Sequence, residues 1–237
     1  MTHETNNRVL RALDSETRNA VIRRCEPVTL EAEAVLQRAG EATHAVYFPE
    51  TAVISAIATY SDGSGIEMAN IGREACTAVN LMLGHPQQLH TDEVQIAGGA
   101  LRLPAEQFLT LKTKHETFAQ RLLASAQSVF YQVMISGACN GAHSARQRLA
   151  RWLLTMADRT DGSEMRLTHD FLAQMLGVRR ATVTQAAQGL QEHGLISYRR
   201  GRVAITDRAG LRKASCECYD LVRSANRDLL PETGADA

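Results

Sequence analysis

The sequence predicts an α+β protein with a strand-rich N-terminal half and a mainly helical C-terminal half. In the N-terminal half, short apolar runs alternate with turn residues from about residue 27 to residue 103. No helix-length segment separates these runs, which argues against a parallel sheet built from βαβ units. From Pro104 onward, apolar residues recur at steps of three and four, the spacing of amphipathic helices. A chain of 237 residues also has room for two domains.

The N-terminal unit, residues 1–110, is predicted to contain a helix followed by short strands. The helix covers residues 7–25, where apolar and charged residues are interspersed. Glycine-containing turns bound the strands, and short strands with regular turns indicate a sandwich or barrel. In chain order, the strands are predicted at residues 28–30, 34–36, 45–48, 53–59, 66–71, 94–96 and 100–103.

A long helix is predicted next, and Pro104 is suited to its first turn. Residues 113–137 contain no proline and no interior glycine, and one side is apolar. A domain of this size cannot cover so long a stripe, so we expect the helix to pair with its copy in a homodimer; packing within its own chain is the alternative. Because residues 140–143 break the pattern, the dimerisation helix is assigned to 111–139 and the C-terminal domain to 140–237. The expected interface residues are Phe118, Leu122, Ala126, Val129, Phe130 and Val133.

The composition is that of a soluble protein in a reducing compartment. Hydrophobic residues make up 44% of the chain and charged residues 22%, and no uninterrupted apolar run approaches the ~20 residues that span a bilayer. The polar N-terminus does not resemble a signal peptide. Five cysteines without framework spacing indicate free thiols. We therefore expect a cytoplasmic protein without a membrane partner.

The net charge is zero, but the charges are unevenly distributed along the chain. Residues 146–213 hold 13 Lys and Arg against six Asp and Glu, whereas residues 1–145 hold 11 against 15. A concentration of positive charge in one segment is typical of a module that approaches phosphates. This distribution points to a nucleic-acid partner for the C-terminal third.

The C-terminal third contains two predicted helices joined by a tight turn and followed by a hairpin. Thr168 is suited to cap the first helix, and Gly177 can adopt the left-handed conformation that ends it. The second helix is predicted at residues 182–192, and a strand, a basic turn and a return strand follow between residues 195 and 206. This order of elements is that of a winged helix-turn-helix. Flanking helices are predicted at residues 144–159 and 208–229.

A winged helix-turn-helix reads double-stranded DNA because one helix fits into the major groove with its first turns facing the base edges. Arginine can form paired hydrogen bonds with guanine, and glutamine with adenine. A buried helical hairpin with a solvated basic face is the alternative interpretation. The expected base-reading residues are Arg179, Arg180, Thr182, Thr184 and Gln185, and the expected phosphate contacts are Thr168, Arg199, Arg200 and Arg202.

Residues 171–180, with the sequence FLAQMLGVRR, resemble the DNA-reading unit of the Crp/Fnr transcription regulators. The resemblance extends over nearly the whole chain. It implies an N-terminal β-roll of the cyclic-nucleotide-binding jelly-roll type, a long dimerisation helix and a C-terminal winged helix-turn-helix. It further implies a homodimer, a pseudo-palindromic operator and contact with RNA polymerase. Many relatives carry an acid and a further arginine where this chain has Ala181 and Gln185, so the operator should differ from the best-known sites.

The family resemblance also implies an effector site, but this sequence departs from the usual pattern. Relatives that bind cyclic nucleotides carry a Gly-Glu turn and a later arginine that pairs with the phosphate. Arg73 and Glu74 match the first part only loosely, and no Lys or Arg occurs between Arg73 and Arg102. A buried phosphate without a paired cation is costly, so we expect no cyclic nucleotide in the usual mode. A different small molecule in the roll, or Arg73 and Glu74 in an altered pose, are the alternatives.

We expect neither a metal nor a cofactor. Only Cys25 precedes residue 76, so the N-terminal cysteine set of the iron–sulfur members is missing. Cys76 with His85 and His90 is interpreted as a buried thiol with surface histidines. Two further groups are interpreted as packing residues. Cys139 and His143 are separated by Gly141, and Cys216 and Cys218 would point in different directions on one continuous helix.

Two other classes of protein compete with a regulator. A β-roll module that controls an enzyme or channel without binding DNA would not need the wing or the local positive charge. An enzyme would need an acid–base constellation or ligands at metal spacing, and the sequence offers neither. We therefore expect a DNA-binding regulator that is not an enzyme, with its effector, its operator and the direction of its control left open.

Overall fold

The computed structural model describes residues 5–63, 65–160 and 164–231. Its described residues form seven N-terminal strands in two antiparallel sheets, so the predicted fold class is confirmed. One sheet has the order β1-β7-β3 and the other the order β2-β6-β4-β5, and together they form a roll. The strands are β1 Glu26–Leu30, β2 Val35–Gln37, β3 Ala45–Pro49, β4 Val53–Thr59, β5 Gly65–Ile71, β6 Thr91–Ile96 and β7 Gly98–Pro104.

The N-terminal segment forms two short helices instead of the one predicted at residues 7–25. They are α1, Arg8–Arg11, and α2, Ser15–Ile22. Asp14 separates them because its side chain accepts a hydrogen bond from the backbone N–H of Thr17 and so begins a new helix. A further short helix, α3 at Val79–Met82, was not predicted; it lies between β5 and β6.

The long predicted helix is divided at His115, whose backbone is extended. Ahead of it lies α4, Ala105–Lys114, which follows Pro104 as expected. After it, α5 runs from Glu116 to Ala142. The expected end at residue 139 is therefore three residues early, because Asn140 and Gly141 remain helical.

Four of the six expected interface residues on α5 are buried in their own chain. Phe118 packs with Phe48 and Phe108, and Val129 packs against the β4–β5 sheet. The alternative of packing within the chain is thus correct for this face, and the homodimer assignment was wrong for Phe118, Leu122, Ala126 and Val129. The side chains of Leu123, Phe130, Val133 and Met134 form a separate stripe and are 52%, 65%, 36% and 55% exposed.

Among the described residues, α5 is the helix that is long and apolar enough to cross a membrane. Its most apolar 18-residue window has a mean hydropathy of 1.2, although polar residues interrupt the apolar run. One face of α5 packs against the roll, and the exposed stripe lies next to that face. The apolar composition is therefore explained in part by burial within the chain.

The C-terminal domain has the predicted elements in the predicted order, with one additional strand and one additional break. The strand is β8, Glu164–Arg166, which pairs with β10. The break divides the predicted terminal helix at residues 215–217 into α9 and α10. The elements are α6 Ala145–Arg159, β8, α7 His169–Leu176, α8 Arg180–Glu192, β9 Ile196–Arg199, β10 Arg202–Ile205, α9 Arg208–Ala214 and α10 Cys218–Leu229.

A buried polar network joins the roll, α5 and α6 at Arg159, the last residue of α6. The Arg159 guanidinium donates hydrogen bonds to Asn70 and Gln132 and forms an ion pair with Glu74. The Arg159 side chain is only 3% exposed. Gly72 leaves room for this side chain, since a Cβ there would lie 2.4 Å from Cδ of Arg159. The network therefore fixes the C-terminal end of α6 against the roll and α5.

Glu67 extends this network to the middle of α6. It accepts hydrogen bonds from Ser55 at 2.7 Å, Asn70 at 2.8 Å and the indole N–H of Trp152 at 3.3 Å. Burial raises the pKa of Glu67, and these hydrogen bonds offset that effect only in part. The middle and the end of α6 are thus both attached to β5 by polar contacts.

Replacing Arg159 with alanine should destabilise the fold strongly, because Glu74 would remain buried without its cation. We expect a loss of about 3–5 kcal/mol in the free energy of unfolding, measured by urea denaturation. Arg212→Ala is the matched control, since its ion pair with Asp220 is about half exposed and should contribute at most about 1 kcal/mol. Equal losses for the two variants would contradict the role assigned to the network.

Candidate nucleic-acid interface

The helix-turn-helix is built by local signals that the sequence carries. The Thr168 side chain accepts a hydrogen bond from the backbone N–H of Phe171 and begins α7. Gly177 ends α7 in the left-handed conformation, with φ of 60°. Arg179 is the N-cap residue of α8, so this helix begins two residues earlier than predicted. The inward face of α8 consists of Val183, Ala186, Ala187 and Leu190, all buried.

The first turns of α8 present the predicted base-reading side chains to solvent. Arg179, Arg180, Thr184 and Gln185 are exposed, and Thr182 is half-buried. This exposure is expected from both interpretations of the hairpin, because the alternative also has a solvated basic face. A helix with an apolar side held in the domain core and a polar, cationic N-terminal end facing outward can enter a major groove.

One contact at the start of α8 was missed by sequence reasoning. The Arg180 guanidinium lies 3.4 Å from a carboxylate oxygen of Asp170, and both side chains are about 70% exposed. Asp170 lies on α7, ten residues before Arg180, so the contact could not be predicted from the spacing of residues within α8. Asp170 thus gives Arg180 an acidic neighbour, although the position after Arg180, where many relatives carry an acid, is Ala181.

The wing, which is the β9–β10 hairpin, is held against α7 and α8 by His169 and Tyr198. Their rings stack with centroids 4.6 Å apart, and the Tyr198 hydroxyl donates a hydrogen bond to the Leu167 carbonyl at 2.8 Å. The His169 ring contacts the Thr184 hydroxyl on α8 at 3.0 Å. Burial and the nearby charge of Arg180 lower the pKa of His169. A neutral ring at neutral pH therefore links α7, α8 and the hairpin.

The predicted phosphate-contacting residues occupy different surroundings. Arg199 and Arg200 are exposed, and Arg200 with Gly201 forms a two-residue turn with φ of 50° and 73°. Arg202 is instead paired with Glu164 on the neighbouring strand at 2.8 Å. The Thr168 hydroxyl is engaged in capping α7. Of these four side chains, Arg199 and Arg200 are the best placed to meet a DNA backbone.

An apolar cavity of about 450 Å³ lies between the β4–β5 sheet and α5. Its polar side chains are His90 and Gln127, and no Lys or Arg is among the described residues that line it. The remaining lining residues are Ala56, Met68, Ala69, Ile71, Ala78, Val79, Leu83, Leu123, Ala126, Val129, Phe130 and Val133. The cavity suits an apolar molecule better than a phosphate.

The two residues named as possible ligand contacts do not line this cavity. Arg73 donates two hydrogen bonds to the Arg159 carbonyl, at 2.8 and 3.2 Å, and Glu74 is the ion-pair partner of Arg159. Both line a smaller polar cavity of about 130 Å³ next to α6 and α10. The structure thus gives them a role in joining the roll to the C-terminal domain.

The cysteines and histidines are arranged differently from the sequence interpretation. Cys76 is buried in the roll beside Ser125, as expected. His90 is not the surface histidine that was expected, because its side chain is 18% exposed and lies 3.1 Å from a carboxylate oxygen of Asp92. By contrast, four donor atoms converge at the end of α5, within 4.8 Å of one another. They belong to Cys139, His143, Cys216 and Cys218.

The expectation that Cys216 and Cys218 could not point toward one ion was wrong. It assumed one continuous helix over residues 208–229, whereas the chain breaks at residues 215–217 and brings both thiols to one side. The hydrogen bond with Cys216 and the charge of Arg151 lower the pKa of the Cys139 thiol. Burial raises the pKa of Cys218.

Comparison with known proteins places the C-terminal domain in a family. Residues 147–214 match the profile of the Crp-like helix-turn-helix domain. No curated protein sequence matches this chain significantly.

Solved structures of low sequence identity share the fold. A CRP-family transcriptional regulator from Thermus thermophilus superposes with a TM-score of 0.66 at 18% identity, covering 79% of this chain and 96% of that one. FixK2 from Bradyrhizobium japonicum gives a TM-score of 0.67 at 16% identity, covering 81% and 98%. The global regulator CLP from Xanthomonas campestris, described as responsive to c-di-GMP, gives 0.59 at 16% identity, covering 81% and 99%.

These findings agree with the resemblance inferred from residues 171–180. The chain has the fold of the Crp/Fnr transcription regulators, and residues 147–214 carry a Crp-like helix-turn-helix domain.

Proposed function

We propose that this protein binds a specific, pseudo-palindromic DNA site as a homodimer and reads it with the N-terminal end of α8. The main support is that side chains at the first turns of α8 are exposed, while the opposite face of the helix is buried in the domain core. Such a regulator would act in the cytoplasm and contact RNA polymerase. It is a binding protein, without a role in catalysis.

The roles of the individual residues follow from their positions. Arg179, Arg180 and Gln185 would read base edges, with Thr182 and Thr184 beside them. Arg199 and Arg200 at the wing would contact phosphates, which position the domain without specifying a sequence. Thr168 and Arg202 would contribute after their present partners adjust, since both are engaged within the chain.

The exposed stripe on α5 supports the homodimer. Leu123, Phe130 and Met134 are spaced seven and four residues apart, which puts them on one side of the helix. Large side chains exposed along a long helix indicate a surface that another molecule covers. Two-fold pairing of α5 with a second copy would cover it and would set two α8 helices about one DNA turn apart.

The apolar cavity supports a second candidate function, control of DNA binding by a small molecule. Its lining favours an uncharged, apolar effector over a cyclic nucleotide, whose phosphate would meet no cation among the described lining residues. A β-roll module without DNA binding is the remaining alternative. Such a module would not need the exposed cationic start of α8. A gel-shift assay at several salt concentrations distinguishes it from a DNA-binding regulator.

Arg180→Ala should weaken binding to the preferred site by about 1–3 kcal/mol and relax the choice of base at one position. The reason is the loss of a paired contact with guanine. Selection of bound sites from random duplexes, for the wild type and the variant, measures both effects. A consensus identical in the two proteins would contradict the reading role.

Arg200→Ala should weaken binding to all sequences about equally and lower the slope of log affinity against log salt by about one. Fluorescence anisotropy with specific and unrelated duplexes provides the measurement. Arg23 is an exposed arginine of the N-terminal segment, so Arg23→Ala is the matched control. It should leave the salt slope unchanged for the specific and for the unrelated duplexes. If the slope stays the same for Arg200→Ala, the wing does not contact the backbone.

Phe130→Glu should convert the dimer into a monomer, because a charge would replace an apolar side chain at the centre of the α5 stripe. Sedimentation equilibrium measures the mass, and binding to a two-half-site duplex should weaken in parallel. Leu89→Glu is the control, since Leu89 is a large apolar side chain of the roll, outside the α5 stripe, and is 77% exposed. A dimer that persists in Phe130→Glu, or a monomeric wild type, would overturn the assignment of this surface.

A further inference from the structure

The cluster at the end of α5 is formed by residues that lie far apart in the sequence. Cys139 occupies the last turn of α5, and His143 is its C-cap residue, whose backbone N–H donates to the Cys139 carbonyl. Cys216 lies in the break after α9, and Cys218 is the first residue of α10. The three thiols are buried and the imidazole is 16% exposed.

We propose that Cys139, His143, Cys216 and Cys218 bind one Zn²⁺ ion. Three thiols and one imidazole form one of the common ligand sets of structural zinc. The ligand type excludes Mg²⁺ and Ca²⁺, which take oxygen donors.

Two of the distances between the donor atoms match those around a single tetrahedral ion, and all four atoms lie within 4.8 Å of one another. Zinc at about 2.3 Å from sulfur and about 2.0 Å from nitrogen holds its ligands roughly 3.5–3.8 Å apart. The Sγ atoms of Cys139 and Cys216 are 3.5 Å apart, and Sγ of Cys218 is 3.7 Å from Nδ1 of His143. A polynuclear iron–sulfur cluster would need a wider cage than donor atoms within 4.8 Å of one another provide.

The imidazole is oriented as a metal-binding histidine usually is. Nδ1 of His143 faces the thiols, while Nε2 lies 3.3 Å from a carboxylate oxygen of Glu217. A carboxylate that accepts from the second ring nitrogen fixes the tautomer and the ring orientation of a zinc ligand. Glu217 would therefore act as a positioning residue.

Two arginines beside the cluster provide compensation for the charge of the site. Three thiolates and one Zn²⁺ carry a net charge of −1. Arg148 and Arg151 both act electrostatically on Cys139. Their Nε–H groups are buried and have no hydrogen-bond partner among the described residues. Sulfur ligands of a bound ion are acceptors that these groups could use.

The site would join the two functional parts of the chain. Cys139 and His143 belong to the end of the proposed dimerisation helix, whereas Cys216 and Cys218 follow the winged helix-turn-helix. A bound ion would connect these segments without relying on a large apolar interface. We infer that zinc fixes the DNA-binding domain on α5.

The test is the metal content of the full-length protein, purified under reducing conditions and measured by elemental mass spectrometry. We expect one zinc per chain in the wild type and loss of zinc in Cys139→Ser and Cys216→Ser. Cys76→Ser is the matched control, a buried cysteine outside the cluster, and should retain the ion. Iron at one per chain, or a Cys139–Cys216 disulfide without metal, would overturn the proposal.

Titration of the metal-free wild type with Co²⁺ tests the site without relying on cysteine variants, which could fold poorly. We expect the intense visible absorption of tetrahedral cobalt with thiolate ligands, saturating at one equivalent and displaced by Zn²⁺. Glu217→Gln should fold normally and bind either ion at least about ten-fold more weakly. Octahedral spectra, or no saturable binding, would show that the four residues are a packing cluster.

Discussion

The buried ion pair between Arg159 and Glu74 is the contact on which the arrangement of the two halves depends. Its partners come from α6 and from the loop after β5, and Asn70 and Gln132 satisfy further donors of the guanidinium. A buried charge without a partner is far more costly than an exposed one. The C-terminal domain therefore cannot move away from the roll at this point without exposing or orphaning several polar groups together.

The position of α8 follows from this contact through α6. Leu149, Leu153 and Met156 belong to the same apolar core as the inward face of α8, while Arg159 and Trp152 attach α6 to the roll. The reading helix is consequently fixed relative to α5 by packing on one side of α6 and by hydrogen bonds on the other. Any pairing of two α5 helices then sets the spacing of two α8 helices.

Features determined by neighbouring residues could be predicted from the sequence, and features determined by distant residues could not. Thr168 and Gly177 act within one helical turn, so the start and end of α7 were predicted correctly. The face of α5 that packs on the roll depends on β4 and β5, and periodicity alone does not distinguish it from the exposed stripe. Cys139 and Cys216 are 77 positions apart, and their approach depends on a helix break at Ser215 that no glycine or proline marks.

The same helix, α5, serves the apolar cavity and the proposed dimer surface. Leu123, Phe130 and Val133 line the cavity, and they are also among the exposed side chains of the stripe. A second copy packed on the stripe would therefore close one wall of the cavity, and a molecule in the cavity would contact side chains that the partner also contacts. An effector that favours one arrangement of these side chains would therefore change the affinity of the two chains for each other. Because linkage is reciprocal, dimerisation would change the affinity for the effector by the same factor. Control by an apolar molecule would in this way act first on α5 and reach α8 through α6.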